Sequence, residues 1–196
     1  MRLIIVRHGE TDFNKNGIMH GQVNTQLNKK GFEQVAKLAE RLKSEKIDII
    51  FTSDLDRAQQ TAMGIAQYHK APIIATEQLR ERSHGIFDGK PALNYLNFIK
   101  KYGLNRVTFK PDGGESYPMV KVRAQKFLGS IMGKYENKTV LISSHGAFNR
   151  QLLGILLEIP IEQAVDLAQG NACLNIVDVD EKGKHEAKVI GCVKHL

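Results

Sequence analysis

Two histidines, at least two arginines and a carboxylate sit in short polar blocks, each following an apolar, β-favouring run. Arg7-His8-Gly9-Glu10-Thr11 follows Leu3-Ile4-Ile5-Val6, and Ser53-Asp54-Leu55-Asp56-Arg57-Ala58 follows Ile47-Asp48-Ile49-Ile50-Phe51-Thr52. Leu79-Arg80-Glu81-Arg82 comes after Pro72-Ile73-Ile74-Ala75, and Ser144-His145-Gly146 after Thr139-Val140-Leu141-Ile142-Ser143. Such a set suits phosphoryl transfer through a histidine. That chemistry needs a neutral imidazole nitrogen as nucleophile, cations around the three equatorial phosphoryl oxygens, and an acid for the leaving alkoxide. Positioning and charge stabilisation do most of the work, and one donor aimed at the developing charge is worth on the order of 3 kcal/mol. Arg7 and Arg57 beside His8 disfavour its imidazolium, and Gly9 lets the backbone pass close to a phosphate.

These blocks need a scaffold that delivers them to one place. The β-favouring runs read as short buried strands. Between them, residues 28–46 carry an apolar stripe of Phe32, Val35, Ala36, Ala39 and Leu42 with charges opposite, which predicts an amphipathic helix. A helix capped by Ser53 or Asp54 is predicted to run to about Tyr68. Another, over about 116–135, starts with Pro118 in its first turn and places Val120, Ala124, Phe127, Leu128, Ile131 and Tyr135 on one face. A weak helix at 92–102, a helix at 147–157 and two closing strands at 173–179 and 187–193 complete the pattern. The alternation predicts an α/β fold, a mainly parallel sheet with helices on both faces in three layers. Ligands of such sheets bind outside the carboxyl ends of the strands, where the loaded blocks stand.

Composition narrows the partners. The chain has 196 residues, 28 Lys plus Arg against 21 Asp plus Glu, a formal charge of +7, as expected of one domain with an ordinary soluble core. The lysines are spread, in pairs at most (Lys29-Lys30, Lys100-Lys101), and there is no tryptophan, so the footprint of nucleic-acid binding is missing. A cleft that draws in small anions remains. No apolar run reaches membrane-span length, and Arg7 interrupts the N-terminal run too early for a secretory segment. Cys173 and Cys192 form no C-x-x-C pair and read as small buried hydrophobes. The expectation is a cytoplasmic protein, monomer or homodimer. The histidine spacings fit no metal-ligand pattern; His20 and His84 stand out as extras near the chemistry.

Taken together, the blocks resemble the histidine phosphatase superfamily, the phosphoglycerate mutase-like fold, in its larger branch. The resemblance rests on Arg7-His8-Gly9-Glu10-Thr11 with Asn14, Gly21-Gln22, Ser53-Asp54-Leu55 with Arg57 and Thr61, Leu79-Arg80-Glu81, Gly113-Gly114-Glu115-Ser116 and Ser144-His145-Gly146, in family order. It implies His8 as nucleophile, with Arg7, Arg57 and His145 on the transferring phosphoryl group, helped by Asn14 and the Gly146 amide. It further implies Glu81 as acid and then base, Gly21 and Gln22 lining the phosphate pocket, and Arg82 on the rest of the substrate, with no metal and no cofactor. Residues 1–196 would form one such domain, with roughly 84–115 as a lid. The segment before Gly113-Gly114-Glu115 lacks the paired arginines and proline-rich run of the family's mutases, which favours hydrolysis over transfer. Residues 81–90 and the Phe-Lys-Pro-Asp-Gly-Gly-Glu stretch are most similar to the fructose-2,6-bisphosphatase-like TIGAR type. That type acts on small anionic phosphate esters such as sugar bisphosphates and phosphoglycerates. A phosphoglycerate mutase, an α-ribazole phosphatase and a non-catalytic phosphate-binding module are the alternatives.

Overall fold

Leu3, Ile4, Ile5 and Val6 are all fully buried, as an uninterrupted apolar strand requires. A computed structural model describes residues 1–196. The chain runs β1 (Arg2–Arg7), α1 (Asp12–Lys15), α2 (Lys29–Leu42), β2 (Ile49–Ser53), α3 (Asp56–Ala66), β3 (Ile73–Thr76) and α4 (Ala92–Lys101). It continues through α5 (Tyr117–Ile131), β4 (Thr139–Ser144), α6 (Gly146–Leu156), α7 (Ile161–Ala164), β5 (Leu174–Val179) and β6 (His185–Cys192). The six strands form one sheet in the order β3-β2-β4-β1-β5-β6. β3, β2, β4 and β1 are mutually parallel, while β5 and β6 close the sheet antiparallel.

The two-residue period of a strand divides β1 between two cores. Leu3 and Ile5 join α5 and α6 on one face, through Phe127, Ile131, Phe148 and Leu152. Ile4 and Val6 join α2 and α3 on the other, through Leu38, Leu42, Ala62 and Ile65. This is the three-layer α/β/α arrangement. No helix is long and apolar enough to cross a membrane.

Three local expectations change. In α2 the buried stripe is Gly31, Val35, Leu38, Ala39 and Leu42, and Phe32 is exposed. The cause is contact at the start of α2: a Cβ on Gly31 would come within 2.1 Å of the Glu10 carbonyl oxygen, so this glycine must face the turn after β1. That contact sets the rotation of the helix. The N-cap of α3 is Leu55, with no side-chain cap; Asp54 instead pairs with Arg80. β3 is an edge strand with Ile73 and Ile74 exposed.

Candidate active site

Because the four parallel strands share one direction, their carboxyl ends meet on one edge of the sheet. β1 ends at Arg7-His8 and β4 at Ser144-His145, registered with Arg7 opposite Ser144. The two imidazole centroids stand 5.2 Å apart. The His8 Nδ1 lies 2.7 Å from the Gly9 carbonyl oxygen. A carbonyl only accepts, so Nδ1 carries the proton and Nε2 keeps its lone pair. Burial, then the charges of Arg57 and Arg7, push the His8 pKa well below its ordinary value. The sequence credited the arginines alone; desolvation is the larger cause.

His145 is fully buried, is pushed down for the same first reason, and neither of its ring nitrogens has a partner. Arg57, also fully buried, gives Nη1 to Val23 O at 2.9 Å and Nη2 to Gly21 O at 3.0 Å, while its Nε is unpartnered. Its pKa is lowered to about 10, burial being the main cause. Arg7 donates Nη1 to Gln169 O at 2.6 Å and likewise keeps an orphan Nε. The neutral histidines and two cations are therefore concentrated where water is largely excluded, a setting in which each favours an anion.

Glu81 arrives from the loop after β3. Its Oε1 accepts the Arg82 amide at 2.9 Å, and its carboxylate takes the Ala147 and Phe148 amides at the start of α6 at 3.0–3.2 Å. Burial raises its pKa, but the Arg82 and Ala147 amides together with His84 and Arg7 outweigh that and leave it below the ordinary value. The Gly146 N–H, in the same turn, has no partner in the protein. Gln22 donates Nε2 to the Glu81 carbonyl at 3.2 Å. Gly21 holds φ +49°, and a Cβ there would fall 1.7 Å from Asp88 Oδ1, so only glycine fits. Asn14 closes a capping box with Thr11, its Oδ1 accepting from the Thr11 amide at 3.2 Å.

Arg82 is buried but is not free. Its Nε donates to Glu115 O at 2.8 Å, and Nη2 to Tyr95 OH and Phe109 O. It lines a cavity of about 510 Å³ that reaches Arg7, Glu81 and Gly146 at one end and α4 at the other. His84, Tyr95, Leu96 and Ile99 from the 84–115 segment line it too, and that segment is held by Ile86 N to Asp112 O and by Glu115 N to Ser83 O.

Some contributors carried no sequence signal. Asn171, just before β5, gives Nδ2 to the carbonyls of His8 and Gly9 at 3.3 Å each and to Asn14 Oδ1 at 3.0 Å. Arg123 on α5 pairs with Glu115 and donates to the carbonyls of Arg80 and Glu81, fixing the Glu81 loop. His20, which stood out in the sequence as an extra histidine near the chemistry, is buried 5.7 Å from His8 and contacts Thr11 Oγ1 at 2.6 Å. His84 does line the cavity. No group of three or more His, Cys, Asp or Glu side chains is arranged to hold a metal ion.

The sequence profile of the histidine phosphatase superfamily (branch 1) matches residues 3–190. The chain belongs to this superfamily. It is 27% identical over 190 residues to phosphoserine phosphatase 1 of Hydrogenobacter thermophilus, covering 93% of this chain and 88% of that protein. It is 37% identical over 130 residues to fructose-2,6-bisphosphatase TIGAR of Xenopus tropicalis, a match that covers 64% of this chain and 47% of that one. A crystal structure of phosphoserine phosphatase from Entamoeba histolytica in complex with 3-phosphoglyceric acid superposes with a TM-score of 0.86 at 27% identity, over 99% and 98% of the two chains. This histidine phosphatase is a phosphoric monoester hydrolase acting on phosphorylated metabolites.

Proposed function

We propose that the protein hydrolyses small phosphate monoesters without a metal, by two in-line displacements through phosphohistidine at His8. The observation that carries this reading is the His8 imidazole, with Nδ1 proton fixed on Gly9 and Nε2 unprotonated beside Arg7 and Arg57, whose Nε atoms have no partner. In the first step Nε2 attacks phosphorus, the N–P bond forms and the P–O ester bond breaks. Glu81 gives its proton to the departing alkoxide. In the second, water attacks phosphorus, Glu81 takes its proton, and the N–P bond breaks to release inorganic phosphate. Arg7, Arg57, His145, Asn14 and the Gly146 amide hold the phosphoryl oxygens, and cations and amides in a dry site are the strongest form of such stabilisation. Gly21 and Gln22 shape the pocket, Gln22 through the Glu81 backbone. The reading treats residues 1–196 as one domain with 84–115 as its lid, and extends to sugar phosphates, sugar bisphosphates and phosphoglycerate-like esters.

Incubation with an aryl phosphate, quenched during turnover, is expected to leave an acid-labile, base-stable phosphoryl adduct that is absent from His8→Ala. Turnover by His8→Ala at the native rate would overturn the mechanism.

A further inference from the structure

The segment entering β5 carries Gln169, Asn171, Cys173 and Asn175 at every second position. Asn171 serves the His8 turn. The other three are buried, and none of them lines the catalytic cavity. Asn175 shares its face of β5 with Val177 and Val179, which lie in the apolar layer with α5 and α6. An amide in such a layer is costly unless each of its polar atoms finds a partner.

Asn175 meets that demand in full. Its Nδ2 donates to Ile5 O at 3.0 Å and to Gln169 Oε1 at 3.1 Å. Its Oδ1 accepts from Gly191 N at 2.7 Å and from Gln169 Nε2 at 2.9 Å. A backbone carbonyl only accepts and a backbone N–H only donates, so Ile5 and Gly191 allow this amide one orientation. The two bonds to Gln169 then fix the orientation of its partner. Gln169 Nε2 also donates to Ala168 O at 2.8 Å, and the Cys173 thiol donates to Gln169 Oε1 at 3.3 Å. The closing hairpin is bent to suit: the β5–β6 register shifts on both sides of Ile176. Gly191 holds φ +57°, and a Cβ there would fall 2.5 Å from Ala168 O, so glycine is needed where its N–H meets Asn175.

This pair of amides holds the main chain at 168–169, and the Gln169 carbonyl is what Arg7 Nη1 donates to at 2.6 Å. Arg57 is held by two carbonyls, whereas Arg7 is held by this one alone and its Nε has no partner. The direction of the Arg7 guanidinium therefore depends on the position of a single carbonyl oxygen. We infer that Gln169 and Asn175 are positioning residues for Arg7: their interlocked amides fix that carbonyl, and through it the angle at which the guanidinium meets the phosphoryl group. The inference rests on the reading above, in which Arg7 holds the transferring phosphoryl oxygens.

The test is a double-mutant cycle on p-nitrophenyl phosphate, with urea titration showing each variant folded under the assay conditions. Gln169→Met keeps the main-chain carbonyl and the side-chain length but removes every amide bond. It is expected to lower kcat/KM by about ten-fold or more, since a small misplacement of a charge-stabilising group is costly. In the Arg7→Ala background the same substitution is expected to cost less than about three-fold, because its effect travels through the missing guanidinium. Asn175→Leu is expected to show the same dependence on Arg7. Should that sheet variant fail to fold, Gln169→Met, outside the sheet, decides alone. An equal fold-loss in both backgrounds is what general structural damage gives, and it overturns the positioning role, as does native kcat/KM in Gln169→Met. Native turnover by Arg7→Ala instead overturns the underlying reading, so the two failures are distinct.

Discussion

One oxygen of the Glu81 carboxylate accepts the Ala147 amide at 3.0 Å and the other lies 3.2 Å from the same nitrogen. The free protein therefore stores a carboxylate on the helix turn whose remaining amide, Gly146 N–H, has no partner. A carboxylate so held is ionised, whereas the reaction needs it protonated. A phosphoryl dianion bound beside it reverses the balance: the new negative charge raises the proton affinity of Glu81. In this scheme the substrate loads its own general acid.

Glu81→Gln preserves the size and keeps one oxygen to accept from the Arg82, Ala147 and Phe148 amides but cannot deliver the proton. For an alkyl phosphate such as 3-phosphoglycerate, kcat is expected to fall by about 10²–10⁴-fold. For p-nitrophenyl phosphate, whose leaving group needs little protonation, the loss is expected to be under about ten-fold. Steady-state kinetics on both substrates check this, and equal losses would assign the acid to another residue.

Asn171 links three parts of the turn that carries His8: the carbonyls of His8 and Gly9 and the side chain of Asn14. The Gly9 carbonyl is also what holds the His8 Nδ1 proton. Asn171→Ala should leave that turn free to shift and let His8 sample the wrong orientation, and a misplacement of about 1 Å can cost about 10²-fold. The expectation is a fall in kcat of at least about ten-fold, with the inhibition constant for inorganic phosphate changed by less than about three-fold. A parallel loss in both would show general damage to the pocket rather than a positioning role.

What the sequence made legible follows from where its signals are local. Leu3–Val6 and the Val120–Ile131 face are read correctly because burial on a strand or helix leaves a periodic mark. His8, His145, Arg57 and Glu81 stood out because each lies in a dense polar block at a strand end. Asn171 and Arg123 did not, since each acts on carbonyls brought near only by the folded sheet, and an isolated Asn or Arg carries no pattern. The Phe32 stripe misled because two overlapping helical faces were apolar, and the choice was made by Gly31 against the Glu10 backbone, a contact between segments. Likewise His20 looks like a loop histidine until the 11–22 segment folds over His8.

That fold-over has a thermodynamic consequence. His8, His20 and His145 all have native pKa values pushed down, first by burial and then by nearby arginines, that of His20 to about 3. In the unfolded chain all three return to about 6.5 and bind protons as pH falls. The unfolded state then holds more protons than the native one, so unfolding free energy rises with pH and drops on acidification. A histidine that is neutral in the native protein and charged in the unfolded chain contributes a slope of up to about 1.4 kcal/mol per pH unit. Depressed carboxylates such as Asp54 and Asp178 act in the same direction but below about pH 5. Urea unfolding in a phosphate-free buffer between about pH 6 and pH 5 isolates the histidine contribution. His20→Gln, which keeps a hydrogen-bonding group for Thr11 Oγ1, is expected to reduce the slope by about 1.4 kcal/mol per pH unit. An unchanged slope in that variant would mean that His20 is protonated in the native protein at pH 5, and that the arginine-rich pocket does not keep its imidazoles neutral.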